Sequence, residues 1–203
     1  MEKNLTKSGW FLLIAIIIGW GTSWPFLKIS LSEIPPLTFR GLIAPTAAVF
    51  ILLVGFLSRG KIRVPAGQWK PLIIASLFNV MIWHIFSAWG IRLLASGQAS
   101  IIAYTMPLWA VLFSILINKD RPTTQRTVGL VAGLLGLGTL TIGDLGIYKI
   151  APMGSTLMLI AAISWGMGTA IHKRVKWQMP AATLAGWQLL LGGLPITIIA
   201  IFL

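Results

Sequence analysis

The chain reads as an all-α integral membrane protein, a helical bundle of about seven transmembrane helices, and three observations predict it. The first is length. Seven stretches carry no charged residue: Ser8–Leu27, Gly41–Ser58, Pro71–Ile91, Leu93–Asn118, Thr127–Gly143, Ile150–His172 and Trp177–Leu203. Roughly 20 apolar residues at about 1.5 Å rise each match a hydrocarbon core of about 30 Å. The second is composition, 57% hydrophobic and 10% charged, with a mean hydropathy of +0.89. So few charges cannot cover the surface of a water-soluble domain. The third is that the charges lie in or beside the gaps between the runs, in an alternating pattern.

Each element can be justified from its residues. Span one is preceded by Lys3 and Lys7, which could suggest a signal peptide. It runs on into Trp20-Gly21-Thr22-Ser23-Trp24-Pro25 without a small-x-small cleavage pattern, so a retained helix is expected. Spans two and seven contain Pro45 and Pro195, and span four contains Pro107 in its middle. Proline lacks the N–H that would bond the carbonyl four residues back, so Pro107 bends its helix at Ala103. A static bend and a moving hinge both remain open for Pro107. Span five holds Gly129, Gly133 and Gly136, whose small-xxx-small spacing allows close backbone approach to a neighbouring helix or to a second copy in a homodimer. With the helices and short loops counted, 203 residues leave no room for a soluble domain.

The net charge of +12 is a topology signal rather than a nucleic-acid footprint. With a cytoplasmic N-terminus, Lys3, Lys7, Arg59, Lys61, Arg63, Lys70, Lys119, Arg121, Arg126, Lys173, Arg174 and Lys176 all fall inside. Only Lys28, Arg40, Arg92 and Lys149 fall outside. The positive-inside bias therefore predicts a multi-pass cytoplasmic (inner) membrane protein with its N-terminus in the cytoplasm. No nucleic-acid partner is expected, and without cysteine no disulfide can form.

A shift of 145 residues aligns span one with span six and span two with span seven without gaps. Leu12 falls on Leu157, Ile18 on Ile163, Trp20 on Trp165, Gly21 on Gly166 and Lys28 on Lys173. The register continues through Pro35 on Pro180, Thr38 on Thr183 and Gly41 on Gly186. A unit of five spans is odd, so its second copy enters the membrane from the opposite side. Residues 1–148 then form one five-helix repeat, and residues 149–203 begin a second, inverted one. Many secondary transporters are built from inverted repeats. Only two spans of the second copy are present, so a chain lacking about three further helices is expected.

Three motifs resemble the EamA-type drug/metabolite transporter superfamily. They are Ile18-Gly19-Trp20-Gly21-Thr22-Ser23-Trp24-Pro25-Phe26, the run from Leu94 through Gly97-Gln98-Ala99-Ser100 and Tyr104-Thr105-Met106-Pro107 to Trp109, and Asn118-Lys119-Asp120-Arg121-Pro122-Thr123 before a glycine-rich helix. The resemblance implies ten spans from two five-helix repeats. It also implies a permease or exporter moving small organic solutes such as amino acids, metabolites or drugs across the cytoplasmic membrane by alternating access.

The candidate solute-binding residues are the aromatic and polar groups within the apolar runs, because unpaired polar atoms in hydrocarbon are costly. They are Trp20, Trp24, Asn79, Trp83, His84, Tyr104, Trp165 and Thr169. Asn79, Trp83 and Phe86 share one helical face at i, i+4, i+7, with His84 beside it, and Trp165, Thr169 and His172 repeat that spacing. Gln98, Trp187 and Gln188 are further polar or aromatic groups on spans four and seven. For Trp20, Trp83 and Trp165, pocket lining and ordinary packing both stay open. Trp10, Trp69, Trp89 and Trp177 lie at span ends, as interfacial anchors do. His84 suits proton coupling or a neutral structural hydrogen bond.

No Asp or Glu lies within a run, and Glu2, Glu33, Asp120 and Asp144 sit in loops or at ends. No mid-span Lys or Arg is expected either, which favours neutral, zwitterionic or amphipathic solutes. No paired carboxylates, histidine-rich metal set or Ser/His/Asp grouping is available to an enzyme, so neither catalysis, a metal nor a cofactor is expected. A seven-span photoreceptor is disfavoured because span seven has no Lys for a retinal Schiff base. A non-transporting or receptor-like multi-span protein remains the alternative.

Overall fold

The computed structural model describes residues 6–57, 60–121, 123–142 and 151–203. Among them, helix is the sole regular structure. Helix α1 (Lys7–Glu33) starts where the Thr6 hydroxyl accepts the Gly9 N–H at 3.2 Å, an N-cap that satisfies an otherwise orphaned donor. Pro35 ends it, and α2 (Pro36–Leu57) begins on the next residue, where a missing N–H costs nothing. Span three is composite: α3 (Trp69–Ser76) passes through a wide π turn (Leu77–Ile82) into α4 (Trp83–Leu93). Span four is broken into α5 (Ser96–Ala103) and α6 (Met106–Asn118). The remaining helices are α7 (Thr124–Ile142), α8 (Pro152–Arg174) and α9 (Ala181–Phe202).

Six helices are long and apolar enough to cross a membrane, and a shorter apolar stretch, Thr127–Gly136, lies within α7. The reading of about seven spans therefore holds, with α7 as the seventh. Its expected end at Gly143 and the 148/149 repeat boundary lie outside the described residues, as do Lys3, Arg59, Asp144 and Lys149. The outward faces are apolar: Phe11, Ile16 and Ile17 on α1 and Phe50 and Leu57 on α2 are all more than 60% exposed. In water such a surface would aggregate, and in lipid it is solvated.

Close approaches at glycines define the packing. Helix α8 is the centre of the bundle. A methyl group on Gly166 would meet the Trp109 and Ala110 backbone of α6, and one on Gly168 would strike Asn79 of the π turn. Near the N-terminus of α8, Gly154 lies against Leu93 and Leu94, and further along Gly90 of α4 lies against Met158. Residue numbers rise on α8 as they fall along span three, so those two are antiparallel, while α6 and α8 run parallel. The α2–α9 pair is antiparallel as well. Gly41 abuts Thr197, Pro45 abuts Gly193, and Leu52 abuts Gly186, and the Thr197 hydroxyl donates to the Gly41 carbonyl at 2.7 Å. Under the 145-residue shift Gly41 becomes Gly186 and Leu52 becomes Thr197. The contact therefore repeats itself reciprocally, as across a two-fold axis.

Polar contacts gather the basic loops at one end. Lys173 pairs with Asp120, Gln68 donates to the Lys176 carbonyl at 2.9 Å, and the Thr183 hydroxyl donates to the Lys61 carbonyl at 3.0 Å. At the opposite end Lys28 donates to the carbonyls of Ile91 and Arg92 at 3.1 and 2.7 Å. The charge segregation read from the chain is thus a segregation in space.

Two expectations change. Arg40 is not a loop residue but lies within the first turns of α2, 7% exposed. A charge-free run ends at every charge by definition, so a span bounded that way starts at Gly41 and leaves Arg40 out. Gln98 is not a pocket group, because its side-chain oxygen accepts the Ala95 N–H at 3.2 Å and caps α5.

Candidate functional site

The wide turn of span three helps to form a large concave feature. A π turn leaves one extra residue per turn and shifts the helical register beyond it. Its freed Phe78 carbonyl accepts the Ser164 hydroxyl from α8 at 2.7 Å. Gly168 of α8 and Gly192 of α9 leave room for the Asn79 and Val80 side chains. Asn79, Val80, Trp83 and His84 then line one side of a cavity of 610 Å³. Helix α8 supplies Trp165, Thr169 and His172, α9 supplies Ala185, Gln188 and Leu189, and α1 supplies Trp20. Phe86, placed by spacing on the face of Asn79 and Trp83, is not in the lining, whereas His84 is.

Six of the eight residues singled out from the chain, Trp20, Asn79, Trp83, His84, Trp165 and Thr169, therefore meet around one cavity. Their polar atoms are not equally free. The Thr169 hydroxyl donates to the Trp165 carbonyl of its own helix at 2.9 Å. His84 donates from Nδ1 to the Val80 carbonyl at 2.7 Å, leaving Nε2 as the ring's remaining polar atom. By contrast, Asn79 Oδ1 and Gln188 Nε2 are buried with no hydrogen-bond partner. An unmet buried polar atom is costly, and these two lining side chains each carry one. The pocket is mainly aromatic and aliphatic, with a few convergent polar groups, as small-molecule sites are.

Trp24 and Tyr104 stand apart. Trp24 lines a second cavity of 180 Å³ with Trp20, Ser23, Leu27, Arg40, Trp83 and Ile91. Trp20 and Trp83 belong to both cavities and form the partition between them. Tyr104 is 44% exposed at the break in span four and meets Trp24 edge-on, ring centroids 6.2 Å apart. Its phenol lies in neither cavity lining.

Pro107 occupies the second position of α6, just after that break. Its missing N–H leaves the Ala103 carbonyl without a helical donor, and the chain turns tightly instead, with Thr105 N–H and hydroxyl both donating to the Ile102 carbonyl at 3.1 and 2.7 Å. Pro45 and Pro195, in contrast, remain inside continuous helices.

Trp109 and Trp187 are anchored within the bundle. Trp109 Nε1 donates to the Thr105 hydroxyl at 3.2 Å, and Trp187 Nε1 donates to the Ile62 carbonyl at 2.8 Å. The Trp187 ring sits edge-on to Trp69 at 5.3 Å. His172, on the face of Trp165 and Thr169, reaches the main cavity with its ring 5.4 Å from Trp177.

A third concavity, of 190 Å³, opens at the basic end between α6 and α8, lined by Ala110, Ser114, Asp120, Thr169 and Lys173. Thr169 lines this one and the main cavity alike. The Asp120–Lys173 pair, which also engages the Ser114 hydroxyl, stands over it.

Comparison with known proteins matches the chain's sequence to transporters. The chain is 29% identical over 187 residues to the uncharacterized transporter YoaV of Bacillus subtilis, covering 92% of this chain and 64% of that protein. It is 31% identical over 181 residues to the uncharacterized inner membrane transporter YedA of Escherichia coli K12, covering 86% of this chain and 55% of YedA. An uncharacterized transporter of Archaeoglobus fulgidus is 24% identical over 194 residues, covering 92% of this chain and 65% of its own length. The chain thus spans less than two thirds of each of these relatives. No solved structure matches. Residues 7–142, the whole of spans one to five, match the EamA-like transporter family, and this multi-span membrane protein belongs to that family.

Proposed function

We propose that the chain is the solute-binding part of a carrier that moves small organic molecules across the cytoplasmic membrane by alternating access. The observation that carries the reading is the 610 Å³ cavity, in which Trp20, Trp83 and Trp165 come from three different spans and the lining residues Asn79 and Gln188 carry buried polar atoms without a partner. A solute of that size would bury its apolar face on the indoles and offer hydrogen bonds to the two amides. The reciprocal α2–α9 contact supports an inverted pair of repeats divided near residue 148. Such a pair can rock about its pseudo-symmetry axis and expose one site to either side in turn. In this scheme the N-terminus and the basic loops face the cytoplasm, Pro107 acts as the hinge of span four, and Asp120–Lys173 closes the cytoplasmic end.

The test is ligand-dependent tryptophan fluorescence of the chain in lipid nanodiscs, followed by counterflow of any responding solute in proteoliposomes. Trp83→Ala and Trp165→Ala are expected to abolish solute-dependent quenching. Undiminished quenching in both variants would show that those rings merely pack, and the cavity reading would be withdrawn.

A further inference from the structure

The smaller cavity holds an unmet requirement of one sign. Arg40 is 7% exposed and Trp24 is 6% exposed. Both line it, and both carry a buried donor, Arg40 Nε and Trp24 Nε1, that has no hydrogen-bond partner. Arg40 Nη2 makes a single long contact, 3.5 Å to the Ser87 hydroxyl. Its guanidinium carbon lies 5.8 Å from the Phe39 ring centroid, a contact with one face that leaves Nε unpaired. No acidic side chain pairs with Arg40 among the described residues, where the ion pair that forms joins Lys173 to Asp120 at the other end of the bundle.

A buried guanidinium without a countercharge is among the most expensive arrangements a protein can hold. Its Nε–Nη2 edge presents two donors in the fork that matches a carboxylate. Trp24 Nε1 adds a third donor in the same cavity lining. The two buried atoms without a partner in this lining, Arg40 Nε and Trp24 Nε1, both donate, which favours an anion over a cation. At 180 Å³ the cavity suits a head group rather than a whole solute. The adjoining 610 Å³ cavity, beyond the Trp20–Trp83 partition, suits an apolar body.

We propose that Arg40 and Trp24 form a carboxylate-binding subsite, and that the carried solute is an organic acid whose apolar body lies against Trp20 and Trp83. The assignment rests on the reading that the two cavities hold the carried solute. It also changes the solute class expected from the chain alone, where no intramembrane countercharge was counted. Under the 145-residue shift Arg40 corresponds to Ala185, which lines the main cavity, so the subsite belongs to one half of the pseudo-symmetric pair.

The experiment titrates the nanodisc-embedded chain with phenylacetate and with its neutral isostere phenylacetamide, read by tryptophan fluorescence. The wild type is expected to bind phenylacetate about tenfold more tightly, the discrimination typical of a hydrogen bond to a charged group. Arg40→Gln is expected to erase that preference by weakening the acid while leaving the amide bound as before, which also reports that the variant is folded. Trp24→Phe should lower the preference about threefold, a smaller loss suited to one neutral donor. If Arg40→Gln binds neither compound, the wild-type preference and its reduction in Trp24→Phe carry the test. Equal affinities in the wild type, or an intact preference in Arg40→Gln, overturn the subsite while the cavity reading stands. Failure of the wild type to bind either compound overturns both.

Discussion

Gly21 and Gly166 come directly after Trp20 and Trp165 at equivalent positions of the two repeats, yet alanine at the two sites should act in opposite directions. At Gly166 an added Cβ would lie 2.4 Å from Trp109 Cβ and 2.8 Å from the Ala110 nitrogen and the Trp109 carbonyl carbon. Two of those atoms are backbone, so relief requires α6 and α8 to separate. Overpacking of this kind costs about 1–3 kcal/mol, against a gain of about 0.5–1 kcal/mol from replacing a mid-helix glycine. The net expectation for Gly166→Ala is a loss of about 1–2 kcal/mol, because backbone neighbours put the clash in the upper part of its range. At Gly21 no atom lies within 4 Å of the added methyl, so Gly21→Ala keeps the helix-propensity gain of about 0.5–1 kcal/mol. Thermal unfolding in mild detergent, monitored by tryptophan emission, should then fall by about 2–8 °C for Gly166→Ala and rise by a smaller amount for Gly21→Ala. Gly166→Ala melting at or above the wild type would refute the argument, as would equal destabilisation by both substitutions. Either result would mean that α6 and α8 do not meet at Gly166.

Three further outcomes are expected. Thr197→Val keeps shape but removes the 2.7 Å bond to the Gly41 carbonyl, and should cost about 1 kcal/mol in reversible unfolding by detergent titration; no change would mean that the α2–α9 seam is held by apolar contact alone. Asp120→Asn breaks an ion pair whose side chains are 33% and 52% exposed, so the loss should be at most about 1 kcal/mol and should disappear at about 1 M salt. A large loss that persists in salt would contradict the surface-pair reading. The absence of cysteine permits single-cysteine mapping: Lys61→Cys should react with an impermeant maleimide only in opened cells, and Arg92→Cys in intact ones. The reverse pattern would invert the topology.

Arg40 and Gln98 show where reading from the chain stops. Arg40 has a legible signal, since Pro36 at a helix start places Arg40 one turn inside, but its burial and its unpaired Nε depend on α1 and α4 closing around it. Gln98 lies in an apolar run and so reads as a polar group within the span, although the Ser96-Gly97-Gln98 opening of a helix is also a capping pattern. The π turn at Leu77–Ile82 has no sequence signal of its own, because it is accommodated by Gly168 and Gly192 on distant helices. The cavity residues on span three are legible because the aromatic and polar groups fall close together in sequence. Which of the other tryptophans join them is not.

Span number, the alternation of charge between ends and the 145-residue repeat were all determined by the chain itself. Each depends on local composition measured against a bilayer of fixed thickness, with water at both faces. Which copy of a repeated motif is buried was decided only in three dimensions. Trp20-Gly21 sits on the rim of the bundle, with Trp20 50% exposed, and Trp165-Gly166 sits on its central helix with Gly166 buried. In lipid both copies are equally apolar, so hydrophobicity cannot rank them, and it is the closeness of helix packing that sets how deeply each copy is buried.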